Sequence, residues 1–178
     1  VDYYDGPTIA SSVKLSKTYL KSGDTPTLSW TGTSSKSLDR VEYRIANRDD
    51  VANTTGTTVL PYETTGISLS DGSAEISKIK DLPEGCYKIF ARGVDSGGIS
   101  GTGKGVSFHI DNTAPTIGNI TLDDSLESPV INWEGANDLH LKQVQYKVNN
   151  GTYKSMGISE SGTFTIPTSD FTQAGDYT

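Results

Sequence analysis

One six-residue pattern occurs twice in the chain, as Arg40-Val41-Glu42-Tyr43-Arg44-Ile45 and as Gln143-Val144-Gln145-Tyr146-Lys147-Val148. Polar and apolar residues alternate in both copies, which predicts β-strands with one buried face. A tryptophan lies 13 residues before each tyrosine, at Trp30 and at Trp133. Because the two copies keep the same order and spacing, we interpret them as a tandem duplication.

Three further pairs of segments align in the same order. They are Leu28-Ser29-Trp30 with Ile131-Asn132-Trp133, Glu75-Ile76-Ser77 with Thr165-Ile166-Pro167, and Gly85-Cys86-Tyr87 with Gly175-Asp176-Tyr177. Strand-like runs also cover Cys86–Val94 and Gly105–Ile110, and turn residues rich in Gly, Asn and Asp separate the runs. No window shows a helical stripe. The sequence therefore predicts an all-β chain of two tandem β-sandwiches.

The repeat places the domain boundary near Pro115, which cannot continue a strand ladder. We expect a first sandwich over residues 1–111, with residues 1–8 as a linker from a preceding domain, and a second sandwich over residues 112–178. The first copy runs on from Tyr87 through two more strands to Ile110, whereas the second ends one residue after Tyr177. We therefore expect the second sandwich to be truncated, without its last two strands.

The anchor segments resemble fibronectin type III domains and related bacterial Ig-like domains. In that family a Trp on the second strand packs under a Tyr on the third, as Trp30 and Tyr43 would here. A Leu-Pro-x-Gly-x-Tyr corner, here Leu82-Pro83-Glu84-Gly85-Cys86-Tyr87, then leads into a late strand. The short linker through Pro115 is similar to those of repeat arrays in large cell-surface or secreted proteins of Gram-positive bacteria.

This resemblance implies a fold without a shared active site. We therefore expect non-catalytic spacer or stalk modules of a multidomain bacterial extracellular or surface-anchored protein, whose partners are the neighbouring domains of the same polypeptide. One alternative is an adhesin or carbohydrate-binding accessory module with a glycan or host-matrix ligand. Another is a repeat segment of a large wall-associated toxin or glycosidase.

Composition excludes several classes of function. The formal net charge of −7 disfavours a nucleic-acid binder, because an acidic surface repels phosphate. No apolar run approaches the roughly 18 residues that would span a bilayer, so we expect no membrane insertion; we also expect a monomer. Cys86 is the single cysteine, so no intramolecular disulfide forms. We place Cys86 on a core strand, as a buried and inert side chain.

No catalytic constellation is visible in the sequence, and we expect no enzyme. Gly98–Gly105 imitates a phosphate loop, but Gly105 stands where Ser or Thr should follow the lysine, so we expect a hairpin loop. His109 and His140 have no second ligand at metal-binding spacing, and we expect His109 to be a solvated strand residue. Asp49-Asp50 and Asp123-Asp124 fit turns, in which Asp bonds its own backbone.

Two candidate sites remain. The first is an interdomain Ca²⁺ site, the one cofactor that the sequence suggests, with oxygen ligands from Asp95, Asp111, Asn112 and Asp138. The second is the enlarged Thr-rich segment Asp49–Ser73, which we expect to be a loop that carries any contact surface. The tyrosines outside the core pattern are too scattered for a sugar-binding platform; they are Tyr3, Tyr4, Tyr19, Tyr62 and Tyr153.

Overall fold

The computed structural model describes residues 5–34, 37–48, 57–172 and 175–178. The chain divides into two compact units, Val1–Asn112 and Thr113–Thr178. Over the described residues each unit is built from strands and one short 3-10 helix, Ser77–Asp81 in the first and Thr168–Asp170 in the second, so the predicted all-β class is confirmed. No helix among the described residues is long and apolar enough to cross a membrane.

The first unit is a sandwich of two sheets. Its strands are β1 (Ile9–Leu15), β2 (Tyr19–Leu20), β3 (Thr27–Thr33), β4 (Leu38–Asn47), β5 (Thr58–Thr64), β6 (Gly72–Glu75), β7 (Gly85–Asp95) and β8 (Lys104–Ile110). One sheet has the strand order β1-β3-β6 and the other the order β2-β8-β7-β4-β5. All pairs are antiparallel except β2 with β8, which run parallel.

The core of the first unit lies between these sheets. Leu28 and Trp30 come from the three-stranded sheet, and Tyr43, Ile89 and Phe108 come from the five-stranded sheet. The alternation of β4 explains why Tyr43 faces inward, and the same two-residue period places Ile89 and Phe108 in the core. The predicted core face of this segment is confirmed.

The predicted tyrosine corner is also present. The hydroxyl of Tyr87 donates a hydrogen bond to the carbonyl oxygen of Pro83 at 2.8 Å, which ties the start of β7 to the preceding turn. Tyr87 itself is buried and stacks against Phe108, with 5.4 Å between ring centroids.

The segment expected to be an entry linker is packed into the first unit over the residues that the structure describes. Gly6 and Pro7 are buried, and a Cβ on Gly6 would lie only 2.5 Å from the carbonyl oxygen of Ile99. The linker prediction is therefore wrong for residues 5–8, because their backbone fits against Gly93 and Gly101, which have no side chains. Residues 1–4 lie outside the described residues.

The second unit repeats the plan on a smaller scale. Its strands are β9 (Asn119–Asp123), β10 (Val130–Glu134), β11 (Val144–Tyr146), β12 (Lys154–Gly157) and β13 (Gly162–Thr165). They form a sheet of order β13-β10-β9 and a β11-β12 hairpin. Trp133, Ala136 and Val144 are the buried centre of its core. Over its described residues the unit has no counterparts of β7 and β8.

The duplication extends to atomic detail. The indole Nε1 of Trp30 donates to the carbonyl oxygen of Leu69, and that of Trp133 donates to the carbonyl oxygen of Ser159, both at 3.0 Å. Each indole also lies across a glycine of the neighbouring strand. The same packing device therefore anchors both copies.

Candidate functional site on the outer face of the five-stranded sheet

The strand period that sends Tyr43 and Ile89 inward sends their neighbours outward, and these form a charged and aromatic surface on the first unit. We call this surface the cationic face. It comprises Arg40, Glu42, Arg44 and Arg48 from β4 and its end, Tyr62 from β5, and Lys88, Phe90 and Arg92 from β7.

Glu42 is the structural centre of the cationic face. It lies opposite Arg92 in the β4–β7 ladder, and its side chain is only 12% exposed. Oε2 accepts hydrogen bonds from Nε and Nη2 of Arg92 at 3.1 and 2.9 Å, and Oε1 accepts one from Nε of Arg40 at 2.9 Å. One nearly buried carboxylate therefore holds two guanidinium groups in place.

Two aromatic rings support the cations. The guanidinium carbon of Arg92 lies 3.6 Å from the ring centroid of Tyr62, and that of Arg44 lies 4.4 Å from the ring centroid of Phe90. The Lys88 ammonium is 5.1 Å from the Phe90 centroid. These are cation–π distances. Phe90 is thereby almost fully covered although it faces away from the core, being 7% exposed.

A glycine makes room for the Phe90 ring. Gly105 is the register partner of Phe90 on β8. A Cβ at this position would lie 2.7 Å from Cδ1 of Phe90 and 2.9 Å from the carbonyl oxygen of Ile89. The glycine that breaks the phosphate-loop pattern is thus a packing requirement of the sheet face.

The charge of this surface opposes that of the chain. Among its described side chains are five cations and one carboxylate, whereas the whole sequence carries −7. Asp39 lies at its rim and forms an ion pair with Arg40 at 2.9 Å. The acidic residues of the chain therefore lie mainly elsewhere, and the face is a local positive patch.

A thiol and an imidazole meet at one edge of the face. Cys86 and His109 are register partners, and Sγ of Cys86 lies 3.0 Å from Nδ1 of His109. Nε2 of His109 lies 3.3 Å from Nη1 of Arg48, and the ring stacks on Tyr19 at 5.2 Å. Because arginine can only donate, Nε2 is the acceptor and Nδ1 carries the proton of the neutral ring.

Two sequence predictions are wrong here. Cys86 is not a core residue, because Tyr87 and Ile89 face inward and the two-residue period turns Cys86 outward. His109 is not simply solvated, because it is partly buried between Cys86 and Tyr19. The position of Cys86 relative to Tyr87 was the signal in the sequence that could have placed it.

The strand register corrects the proposed calcium site. β7 and β8 are antiparallel with Gly85 opposite Ile110, so Asp95 and Asp111 lie at opposite ends of the sheet, about 33 Å apart along the strands. Asp95 cannot share an ion with Asp111 or Asn112. It is buried instead, and its Oδ1 accepts the backbone N–H of Ile99 at 2.8 Å.

The other three calcium candidates make local hydrogen bonds. The backbone N–H of Asp111 donates to the carbonyl oxygen of Leu20 at 2.9 Å. Asn112 accepts the backbone N–H of Ser22 on its Oδ1 at 2.7 Å. In the second unit, Oδ1 of Asp138 accepts the backbone N–H of His140 at 2.7 Å. Calcium binding by these three residues stays a prediction.

The segment Asp49–Ser73 is not a single loop. Residues 49–56, including Asp49-Asp50, lie outside the described residues. The rest contains the strand β5, which pairs with β4, and ends in the first residues of β6. Its Tyr62 contributes to the cationic face, so over the described residues 57–73 the segment supplies part of a sheet face.

The remaining sequence candidates make local contacts where the structure describes them. Residues 96–103 connect β7 to β8, as the hairpin prediction requires. Oδ1 of Asp123 accepts the N–H and the hydroxyl of Ser125 at 3.1 and 2.6 Å, and these bonds lower the pKa of the Asp123 carboxyl. Tyr153 lies in the second unit, where the Lys147 ammonium is 5.3 Å from its ring centroid. Tyr3 and Tyr4 lie outside the described residues.

The second unit has a groove of about 640 Å³ with apolar walls. Ile120 and Leu122 of β9 line it and are 60% and 57% exposed. The other apolar lining residues include Ile166, Phe171 and Tyr177.

Two pKa values are shifted in a hydrogen-bonded cluster of Tyr146, Lys154 and Asp170 in the second unit. The Tyr146 hydroxyl donates to Oδ2 of Asp170 at 2.6 Å, and Lys154 pairs with Oδ1 of the same carboxylate. The hydrogen bond from Lys154 is the main reason that the pKa of Asp170 is lowered. Burial, reinforced by Asp170, raises the pKa of Tyr146 from 10.0 to about 12.

Comparison with known proteins adds one structural similarity. No protein-family model matches the chain, and no curated protein matches it. Among solved structures, the crystal structure of chicken CNTN1 FN1-FN3 domains is similar at 12% sequence identity with a TM-score of 0.39. The match covers 91% of this chain and 57% of that one, so the chain spans little more than half of the matched structure.

Proposed function

We propose that the chain supplies non-catalytic spacer modules of a multidomain extracellular protein, of the bacterial surface type that the sequence suggests. The proposal rests on one observation: the first part of the first unit, from Ile9 to Leu20, runs parallel to its last strand, β8. A chain that enters a module at one end and leaves at the other adds the length of that module to the reach of the protein.

Backbone hydrogen bonds join the entering segment to the last part of the first unit near the two ends of β8. The backbone N–H of Ile9 donates to the carbonyl oxygen of Thr102 at 3.1 Å. Further along, the N–H groups of His109 and Asp111 donate to the carbonyl oxygens of Thr18 and Leu20 at 2.8 and 2.9 Å. The segment therefore runs in the same direction as β8 and is bonded at both ends of that strand.

This arrangement suits a chain under tension. A pull on residues before Ile9 and after Asp111 draws two parallel segments past each other, so the hydrogen bonds between them are loaded together. In an antiparallel pair pulled at its open end, the bonds break one after another. A spacer needs the first arrangement, because it must keep its fold while it transmits force.

Single-molecule stretching tests the proposal. The chain, with Cys86 replaced by Ala, is held through cysteines introduced at Asp5 and Thr113, which loads the parallel segments. A matched molecule is held at Thr8 and Ser34, where the N–H of Ser34 donates to the carbonyl oxygen of Thr8 at the open end of β1 and β3. We expect the first geometry to need the higher unfolding force; equal forces would argue against a spacer.

A further inference from the structure

We propose that the cationic face of the first unit binds a linear acidic polysaccharide, with sulfate or carboxylate groups of the polymer on its arginines and lysine. The proposal is independent of the spacer function. It places the contact surface on the outward face of the five-stranded sheet, whereas the sequence suggested the segment Asp49–Ser73.

Charge complementarity is the first argument. Five cations and a single carboxylate share the described part of this face, and the carboxylate, Glu42, is nearly buried between Arg40 and Arg92. An approaching polymer therefore meets mainly cations at the centre of the face, and the exposed carboxylate of Asp39 lies at its rim beside Arg40. On a chain of net charge −7, such a patch directs anionic ligands to one surface.

The spacing of the cations favours a linear polymer. Arg40, Arg44 and Arg48 follow β4 at every fourth residue, and Lys88 and Arg92 have the same spacing on the adjacent β7. Four residues of a strand span about 13 Å. Two neighbouring rows of positive charge with this period fit a chain whose anionic groups also repeat.

The cations are held in position before any ligand arrives. Phe90 supports Arg44 and Lys88, Tyr62 supports Arg92, and Glu42 fixes Arg40 and Arg92. Binding then costs less side-chain entropy than it would for unsupported arginines and lysines.

The same contacts disfavour other ligands. Single-stranded nucleic acid and neutral sugars bind by stacking on open aromatic rings, but cations already cover Tyr62 and Phe90. A protein partner would need an apolar centre to bury, and the two aromatic side chains of this face are not open for one. The remaining mode of recognition is by a regular series of negative charges, and an acidic polysaccharide carries such a series.

The test measures binding of heparin to the full 178-residue chain by calorimetry, with neutral dextran and a single-stranded oligothymidylate as comparison probes. The face variant carries Arg44→Gln, Arg48→Gln and Lys88→Gln. The matched control carries Lys14→Gln, Lys21→Gln and Lys80→Gln, which remove the same charge from other parts of the first unit. Unfolding midpoints establish that both fold, and Lys88→Gln alone replaces the face variant if the triple substitution does not.

We expect heparin to bind the unchanged chain, with an affinity that falls as the salt concentration rises. The face variant should bind heparin about tenfold more weakly, and the affinity of the control variant should change by less than about twofold. Absence of heparin binding, or equal loss in the two variants, would overturn the proposal. Binding of dextran as tight as that of heparin would overturn the role of charge. Oligothymidylate binding as tight as that of heparin, with the same loss in the face variant, would overturn the assignment to a polysaccharide.

Discussion

The indole of Trp30 packs directly over Gly72, the residue opposite it on the neighbouring strand β6. The two are register partners, and a Cβ on Gly72 would lie 2.8 Å from Cζ2 of the indole. Gly162 has the same relationship to Trp133, with 2.5 Å to Cζ2. The tryptophan of each repeat therefore requires a glycine later in the chain, 42 residues on in the first copy and 29 in the second.

This contact predicts the effect of adding one methyl group. Gly72→Ala forces the Trp30 indole from its position, and overpacking of this kind destabilises a core by about 1–3 kcal/mol. The free energy of unfolding, followed by denaturant titration, measures the effect. The control is Ser73→Ala in the same strand, where an exposed side chain should change stability by less than about 0.5 kcal/mol. Equal effects at the two positions would contradict the packing role.

The carboxylate of Glu42 predicts that its neutralisation lowers stability more than neutralisation of an exposed glutamate does. Glu42→Gln keeps the shape of the side chain but removes the charge that Arg40 and Arg92 share. Loss of one partner from such a cluster costs about 1–3 kcal/mol. Glu75→Gln, on an exposed position of β6, should cost little. An unchanged unfolding midpoint for Glu42→Gln would show that the cluster does not stabilise the sheet.

The raised pKa of Tyr146 predicts a stability change in alkali. The folded chain keeps the phenol proton up to a pKa of about 12, whereas the unfolded chain loses it near 10. The contribution of this group is complete below pH 10 and is lost as the pH rises through 12. The stability advantage over Tyr146→Phe should therefore shrink between pH 10 and 12. Tyr153→Phe, at an exposed position, should show no such trend.

The contacts of His109 predict its tautomer. With Nε2 accepting from Arg48 and Nδ1 next to Cys86, the neutral ring should carry its proton on Nδ1. The ¹⁵N chemical shifts of the two ring nitrogens in a histidine-labelled sample measure this directly. Arg48→Met should move the ring toward a mixture of tautomers. A proton on Nε2 in the unchanged chain would contradict the arrangement.

The fold was largely predictable because short-range periodicity determines which side of a strand faces the core. The alternation around Tyr43 and the corner before Tyr87 are both local patterns, and both predictions are confirmed. The cationic face was missed because it depends on pairing between distant strands. Nothing near Glu42 in the sequence indicates that Arg92, 50 residues away, lies opposite it. Phe90 also interrupts the alternation of β7, since covering cations replace the core as its environment.

The calcium hypothesis failed at Asp95 for the same reason. Asp95 and Asp111 both follow predicted strands, and the sequence alone does not show that antiparallel pairing sends these two strand ends in opposite directions. Whether Asp95 could meet Asp111 was therefore decided by topology and not by residue type.

The parallel segments of the first unit are the basis of the spacer proposal, and one hydrogen bond between them can be removed selectively. Asp111→Pro deletes the N–H that donates to Leu20, whereas Asp111→Ala changes the side chain and keeps that donor. Both variants are stretched through Asp5 and Thr113. We expect a lower unfolding force for Asp111→Pro than for Asp111→Ala, because both variants lack the carboxylate and only the proline variant lacks the N–H. Equal forces for the two variants would contradict the claim that these bonds resist tension.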